Sequence, residues 1–175
     1  MRYIKSILLA LIFSVAILGG FGLLLKPTYK VEKSIIIKAS QDTIFPFLIN
    51  LKKWPEWSAW STHKDPSVKI TFEGPKKGIG AKQKWEGESI EGELEITGFK
   101  DKKELNYDFK LEEDFISRGT LLLQAQGSNT KITWKIEGDV GYNLPQRYFI
   151  LFIDKLEGPD MEEGLVKLKK ICERE

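Results

Sequence analysis

The 175-residue chain has one cysteine, one histidine and two methionines. A lone cysteine excludes an intramolecular disulfide, a thiolate cluster and a Cys-rich zinc site. A lone histidine leaves one place for the side chain that most often acts as general base or metal ligand near neutral pH. Excess charge of either sign is also missing. Arg2, Lys5 and Lys26 are the only charged residues up to position 26, and residues 27–175 carry 24 basic against 25 acidic side chains. A near-neutral body lacks the clustered Lys and Arg of a nucleic-acid binder, so no nucleic-acid partner is expected. Internal repeats and low-complexity linkers are absent too. With 42% apolar and 11% aromatic residues the chain is neither disordered nor fibrous. The 149 residues after position 26 are enough for one domain with a substantial core.

What is present begins at Ile7. From there to Leu25 the chain reads ILLALIFSVAILGGFGLLL, nineteen residues without a charge. At about 1.5 Å per residue this helix would be about 28 Å long, matching a hydrocarbon core of roughly 30 Å. The expectation is a single-pass anchor within residues 1–26, in the membrane through residues 7–25, followed by a domain over residues 27–175. A cleaved signal peptide is the competing reading. Its apolar region would be about 7–15 residues with a small-x-small site at its end. The only such triplet near the end, Gly20-Phe21-Gly22, is followed by three more leucines, and no cysteine follows that could take a lipid. Arg2 and Lys5 stand in front of the segment and Lys26, Lys30 and Lys33 behind it, so charge barely orients it. The very short N-terminal tail favours a body outside the cytoplasm.

Beyond Pro27 the hydrophobic period becomes two. Residues 31–37 (VEKSIII) read as a first strand, and Ser40 caps a short helix through Phe45, Leu48 and Ile49 that Pro46 should limit or bend. Trp54, Trp57 and Trp60 then fall three apart, a staggered row along one side of a helical turn. Alternating segments follow around Ile70 and Phe72, Gln83 and Trp85, Leu94 and Ile96, Tyr107 and Phe109, Leu121 and Leu123, and Ile132, Trp134 and Ile136, separated by turn residues such as Gly74-Pro75 and Gly127-Ser128-Asn129. That pattern describes an antiparallel meander with one dry and one wet face. Near the end, Gly158-Pro159 is expected to interrupt the apolar run from Gln146 to Leu156. Met161, Leu165, Leu168, Ile171 and Cys172 then mark an amphipathic helix.

The order strand, short helices, six further strands and long last helix resembles the helix-grip fold of the START/Bet v 1-like (SRPBCC) superfamily. The motifs are similar to its polyketide cyclase/dehydrase-type branch. Trp57-Ser58-Ala59-Trp60 with Asp65-Pro66, the glycines of EGPKKGIGAKQKWEG, Trp134, and Gly158-Pro159-Asp160-Met161-Glu162-Glu163-Gly164-Leu165 carry the match, which spans Tyr29 to Glu173. The resemblance implies an α+β domain with a curved antiparallel sheet of six to seven strands around a long C-terminal helix. It further implies a hydrophobic cavity for a lipid, polyketide or other apolar molecule. It does not imply cyclase chemistry, and the N-terminal anchor departs from the soluble members.

Candidate residues divide by chemistry. His63 with Asp65 is the one acid/base pairing on offer, against the ordinary reading of a solvated charged loop. Cys172 lies on an apolar helix stripe and reads as a small hydrophobe. Gly78-Ile79-Gly80 lacks the third glycine of a dinucleotide fingerprint and reads as a hairpin. Glu91, Glu93 and Glu95 are the wet face of a strand, and nothing has metal-ligand spacing, so no metal or cofactor is expected. Trp57, Trp60, Phe72, Gln83, Trp85, Leu94, Tyr107, Phe109, Trp134 and Phe149 would line the cavity if there is one, and are core packing otherwise. Gln83 and the Tyr107 hydroxyl are candidate polar contacts. The run Tyr148 to Ile153 is either helix core or a patch that meets the bilayer near the anchor. The leading function is a membrane-tethered binding domain for a hydrophobic, lipid-like molecule. A cyclase- or dehydratase-like enzyme and a protein-interaction module with a filled cavity are the alternatives. The scarcity of titratable groups at inward strand positions favours binding over catalysis.

Overall fold

A computed structural model of the chain describes residues 2–58, 67–88, 91–111 and 115–174. An N-terminal helix α1 (Arg2–Leu24) leads into β1 (Thr28–Ile37), α2 (Gln41–Ile49), a 3-10 turn and α3 (Trp54–Trp57). Six strands follow: β2 (Lys69–Glu73), β3 (Lys82–Glu86), β4 (Glu91–Lys100), β5 (Glu104–Leu111), β6 (Phe115–Gln126) and β7 (Asn129–Asp139). The chain ends in α4 (Leu144–Phe149), a second 3-10 turn and α5 (Ile153–Cys172). All seven strands form one antiparallel sheet in the order β1-β7-β6-β5-β4-β3-β2, with β1 closing back on β7. This is the helix-grip arrangement, and the wet face alternates as the sequence requires.

Local chemistry explains the elements. Ser40 Oγ accepts from the Thr43 amide at 3.2 Å, capping α2, which stays at nine residues with Pro46 inside it. Gly74 has φ +72°, and a Cβ there would overlap the Gly80 carbonyl, so the β2–β3 turn requires glycine. The dry face of the sheet carries Leu94, Ile96, Leu105, Tyr107, Leu121, Leu123, Ile132 and Trp134, all buried. Helix α5 covers the β1 side of that face with Met161, Leu165, Leu168 and Cys172, at i, i+4, i+7 and i+11. On the wet face, Lys82 and Lys84 bind Glu95 at 2.8 Å and Glu73 at 2.9 Å, and Lys82 reaches Glu93 at 3.4 Å, so two of the three acids of β4 are paired within the sheet.

One expectation is corrected. Gly158-Pro159 does not interrupt the last helix: α5 runs through both, and the irregular turn falls earlier, at Ile150–Phe152. Proline disfavours the helical region for its predecessor through clashes with that residue's Cβ and N–H, and Gly158 has no Cβ to clash. Gly158 also lies against Lys33 of β1, where a Cβ would come within 2.8 Å of Lys33 Cε. Lys33 in turn reaches Glu162 at 3.0 Å and Asp154 at 3.5 Å, so the continuous helix is tied to the edge strand across the glycine.

Candidate functional site

The space between sheet and helix is filled mainly by aromatic rings. Helix α3 drives Trp54 and Trp57 into it, ring centroids 4.9 Å apart. Trp54 meets Tyr107 edge-on at 5.2 Å and Trp57 meets Trp134 at 5.5 Å. Both indoles are also tied to the backbone of α2, Trp54 Nε1 donating to Leu48 O at 2.7 Å and Trp57 Nε1 to Phe47 O at 3.3 Å. On the sheet side Trp134 Nε1 donates to the Tyr107 hydroxyl at 2.7 Å, and Trp85 stacks on Phe109 at 5.4 Å.

An internal space of about 20 Å³ remains, walled by Trp54, Ser58, Gln83, Trp85, Leu94, Tyr107, Phe109, Trp134 and Ile136. That is room for about one water. Gln83, 4% exposed, lines it, and its Oε1 accepts no hydrogen bond among the described residues. A buried acceptor left without a donor is destabilising, so its retention in an aromatic wall is a polar irregularity of the site. Larger hollows lie at the surface. One of about 240 Å³ sits at the β3–β4 hairpin among Lys84, Trp85, Glu86, Glu91, Gly92, Glu93 and Lys110, mostly charged, and one of about 90 Å³ lies beside Phe72. The residue types of the first belong to a solvated groove rather than an apolar binding site.

Among the residues singled out from the sequence, Gln83, Trp85, Leu94, Tyr107, Phe109 and Trp134 come together around this space, with Trp57 packed behind Trp54 and Trp134. Phe72 does not join them. It is 37% exposed on edge strand β2, beyond the reach of α5, with the Lys52 ammonium 5.9 Å from its ring. Phe149 is also elsewhere, 48% exposed on α4 and edge-on to Phe115 at 6.3 Å. Trp60, His63 and Asp65 lie outside the described residues. Trp54, Ser58 and Ile136 were missed as wall residues. Trp54 belongs to the same three-residue spacing as Trp57 and Ile136 to the same face as Trp134, whereas Ser58 gives no signal. Among the described residues no three His, Cys, Asp or Glu side chains converge on a possible metal position.

Two phenols are perturbed. Burial raises Tyr107 above the ordinary tyrosine range. Burial also raises Tyr29, helped by the Glu157 charge and opposed by its 2.6 Å hydrogen bond with Ser117. The unfolded chain ionises its phenols near pH ~10, so stability from these groups is complete below that pH and is lost as pH rises above it. In an alkaline titration followed by phenolate absorbance, two of the five tyrosines should ionise only together with unfolding. Smooth ionisation of all five in a protein with native tryptophan fluorescence would contradict the burial of Tyr29 and Tyr107.

The family model for polyketide cyclase / dehydrase and lipid transport proteins matches residues 28–173. No curated protein matches the sequence. Among solved structures, a truncated norcoclaurine synthase from Thalictrum flavum is similar with a TM-score of 0.60 at 14% identity, over 82% of this chain and 92% of that one. A hypothetical protein from Helicobacter pylori has a TM-score of 0.62 at 11% identity, over 82% and 88%. The Aha1 dimer from Colwellia psychrerythraea has 0.58 at 14%, over 83% and 96%. At these identities the likeness is one of fold.

Proposed function

We propose that this chain, which belongs to the polyketide cyclase / dehydrase and lipid transport family, is a membrane-tethered module that binds an apolar, lipid-like molecule between its sheet and its last helix. Residues 1–26 are the single-pass anchor and residues 27–175 the binding domain outside the cytoplasm. The observation that carries the reading is Gln83 Oε1, a buried acceptor without a partner among the described residues, in a wall of Trp54, Trp85, Tyr107, Phe109 and Trp134. Such a wall supplies affinity by desolvation and dispersion, and one polar atom orients a head group that can donate a hydrogen bond. To admit the ligand, the Trp54–Trp57 turn swings off Tyr107 and Trp134. Binding is favoured over catalysis because Tyr107, the titratable side chain lining the space, is held protonated by burial and is a poor acid or base near neutral pH.

The small size of the space supports a second reading, an interaction module whose cavity is permanently filled. Residues 27–175, purified without detergent and extracted into organic solvent for mass spectrometry, separate the two. A stoichiometric apolar molecule supports the binding module, and a clean, stable protein supports the filled one. The variant Gln83→Leu sharpens the test. Removing an unpaired buried acceptor worth about 1–3 kcal/mol should raise the melting temperature of the empty protein while lowering the amount of co-purified ligand. A lower melting temperature would mean that the amide is satisfied by the protein itself and would sink the assignment.

A further inference from the structure

Helix α1 is locked to the domain rather than merely joined to it. Arg147 of α4 is 6% exposed, and its Nη1 donates to the carbonyls of Gly22, Leu23 and Leu25 at 3.3, 3.0 and 3.1 Å, while its Nε donates to Gly141 O at 2.8 Å. These include carbonyls that the end of a helix leaves without internal partners. Higher up α1 the Tyr148 hydroxyl donates to Leu18 O at 2.6 Å. Gly22 leaves room for the ring, since a Cβ there would stand 3.1 Å from Tyr148 Cε2.

Depth follows from these contacts. The apolar helix Tyr3–Leu24 has 22 residues, about 33 Å at 1.5 Å each, enough to cross a hydrocarbon core of about 30 Å. Leu18 lies six residues before the end of that helix, about 9 Å along its axis. A helix α4 fastened at that level enters the bilayer boundary whenever α1 spans. Its neighbourhood is suited to this position. Phe149 at the end of α4, Phe152 in the 3-10 turn and Leu156 in the first turn of α5 are all about half exposed, with Leu151 beside them. Single exposed apolar residues are ordinary, but a contiguous strip beside an apolar helix marks an interaction surface.

We infer that the strip Phe149–Phe152–Leu156 is a membrane-resting surface, buried in the headgroup–acyl boundary, which fixes the domain in one pose against the bilayer. The inference rests on the anchor reading above. Interfacial helices bury their apolar face by about 5–10 Å, which agrees with the level of the Tyr148 contact. Arg147 of α4 is occupied by backbone carbonyls, which leaves the exposed Lys155 as the cation within the strip, far short of the basic clusters that anionic-lipid binding uses.

The test uses the full chain in phosphatidylcholine nanodiscs, with Cys172→Ala removing the native thiol. An environment-sensitive fluorophore is placed separately through Phe152→Cys, Leu151→Cys, Ser14→Cys and Gln126→Cys. Quenching is read with aqueous iodide and with lipids brominated in their acyl chains. Labels at 14, 151 and 152 should be quenched by the brominated lipid and lose most of their iodide accessibility, whereas the label at 126, on the distal β6–β7 turn, should do the reverse. If 14 is in lipid while 151 and 152 are as open to iodide as 126, the resting surface is wrong and the anchor stands. If all four are open to iodide, the anchor reading fails and takes the inference with it.

Discussion

The variant Gly119→Ala should lose about 3 kcal/mol or more of folding stability, at the upper end of what overpacking costs. Gly119 of β6 lies directly across from Tyr107 of β5, and a Cβ on it would fall inside the Tyr107 ring. The ring cannot withdraw. Trp54 holds its edge at 5.2 Å, and its hydroxyl accepts from Trp134 Nε1 at 2.7 Å. The thermal midpoint, followed by tryptophan fluorescence, should fall by about 6–12 °C at roughly 2–4 °C per kcal/mol for a chain of this length. Gly98→Ala is the control, because the nearest atom to a Cβ there is Asn106 Nδ2 at 4.0 Å. Combining Gly119→Ala with Tyr107→Ala should cost much less than the two single changes added together. A midpoint within a degree of the parent protein would show that Tyr107 does not lie flat on β6.

The same device recurs. A Cβ at Gly138 would strike the Tyr29 ring, and one at Gly92 would meet both Trp85 and, at 2.6 Å, the Lys110 carbonyl. Three strand glycines therefore act as seats for rings laid across the sheet, which is a reason for glycine inside a strand where it otherwise weakens pairing. The pairing of each glycine with its aromatic partner depends on register and cannot be read from either residue alone. Period-two alternation, by contrast, is a local property, and it located all seven strands and the dry positions Leu94, Tyr107 and Trp134. It misled at Phe72 because alternation reports which face a residue is on, not whether a helix covers that part of the face. Phe149 misled for a related reason: a run apolar all round reads as core, whereas α4 has Phe115 on one side and an open surface on the other. The break expected at Gly158-Pro159 failed in part because a glycine before proline removes the Cβ clash that would otherwise disfavour the helical conformation there. The docking of Arg147 on the end of α1 joins residues 122 or more apart in sequence, and no local pattern announces it.

Replacing Trp57 by alanine tests the closed interior directly. Trp57 is fully buried, and truncation of such a ring costs about 3–5 kcal/mol through lost transfer energy and the cavity left behind. The indole lies against Trp54 and Trp134, two walls of the 20 Å³ space, so its removal enlarges that space. A space walled mainly by aromatic rings accepts small apolar probes such as benzene or xenon. Trp57→Ala should therefore be destabilised but partly restored by benzene, by about 2.7 kcal/mol at a concentration 100 times its dissociation constant, whereas Trp57→Phe should be less affected in both respects. Thermal melts of the three proteins with and without benzene measure this. Loss of less than about 1 kcal/mol together with no response to benzene would mean that the indole is not the plug, and that collapse of α3 onto the sheet closes the space without it. The same comparison bears on function. If the domain holds a ligand by swinging Trp54 and Trp57 aside, Trp57→Ala removes part of the barrier and should retain more extracted apolar material than the parent protein. If the interior is a permanently filled core, the variant should respond to benzene yet carry nothing out of the cell.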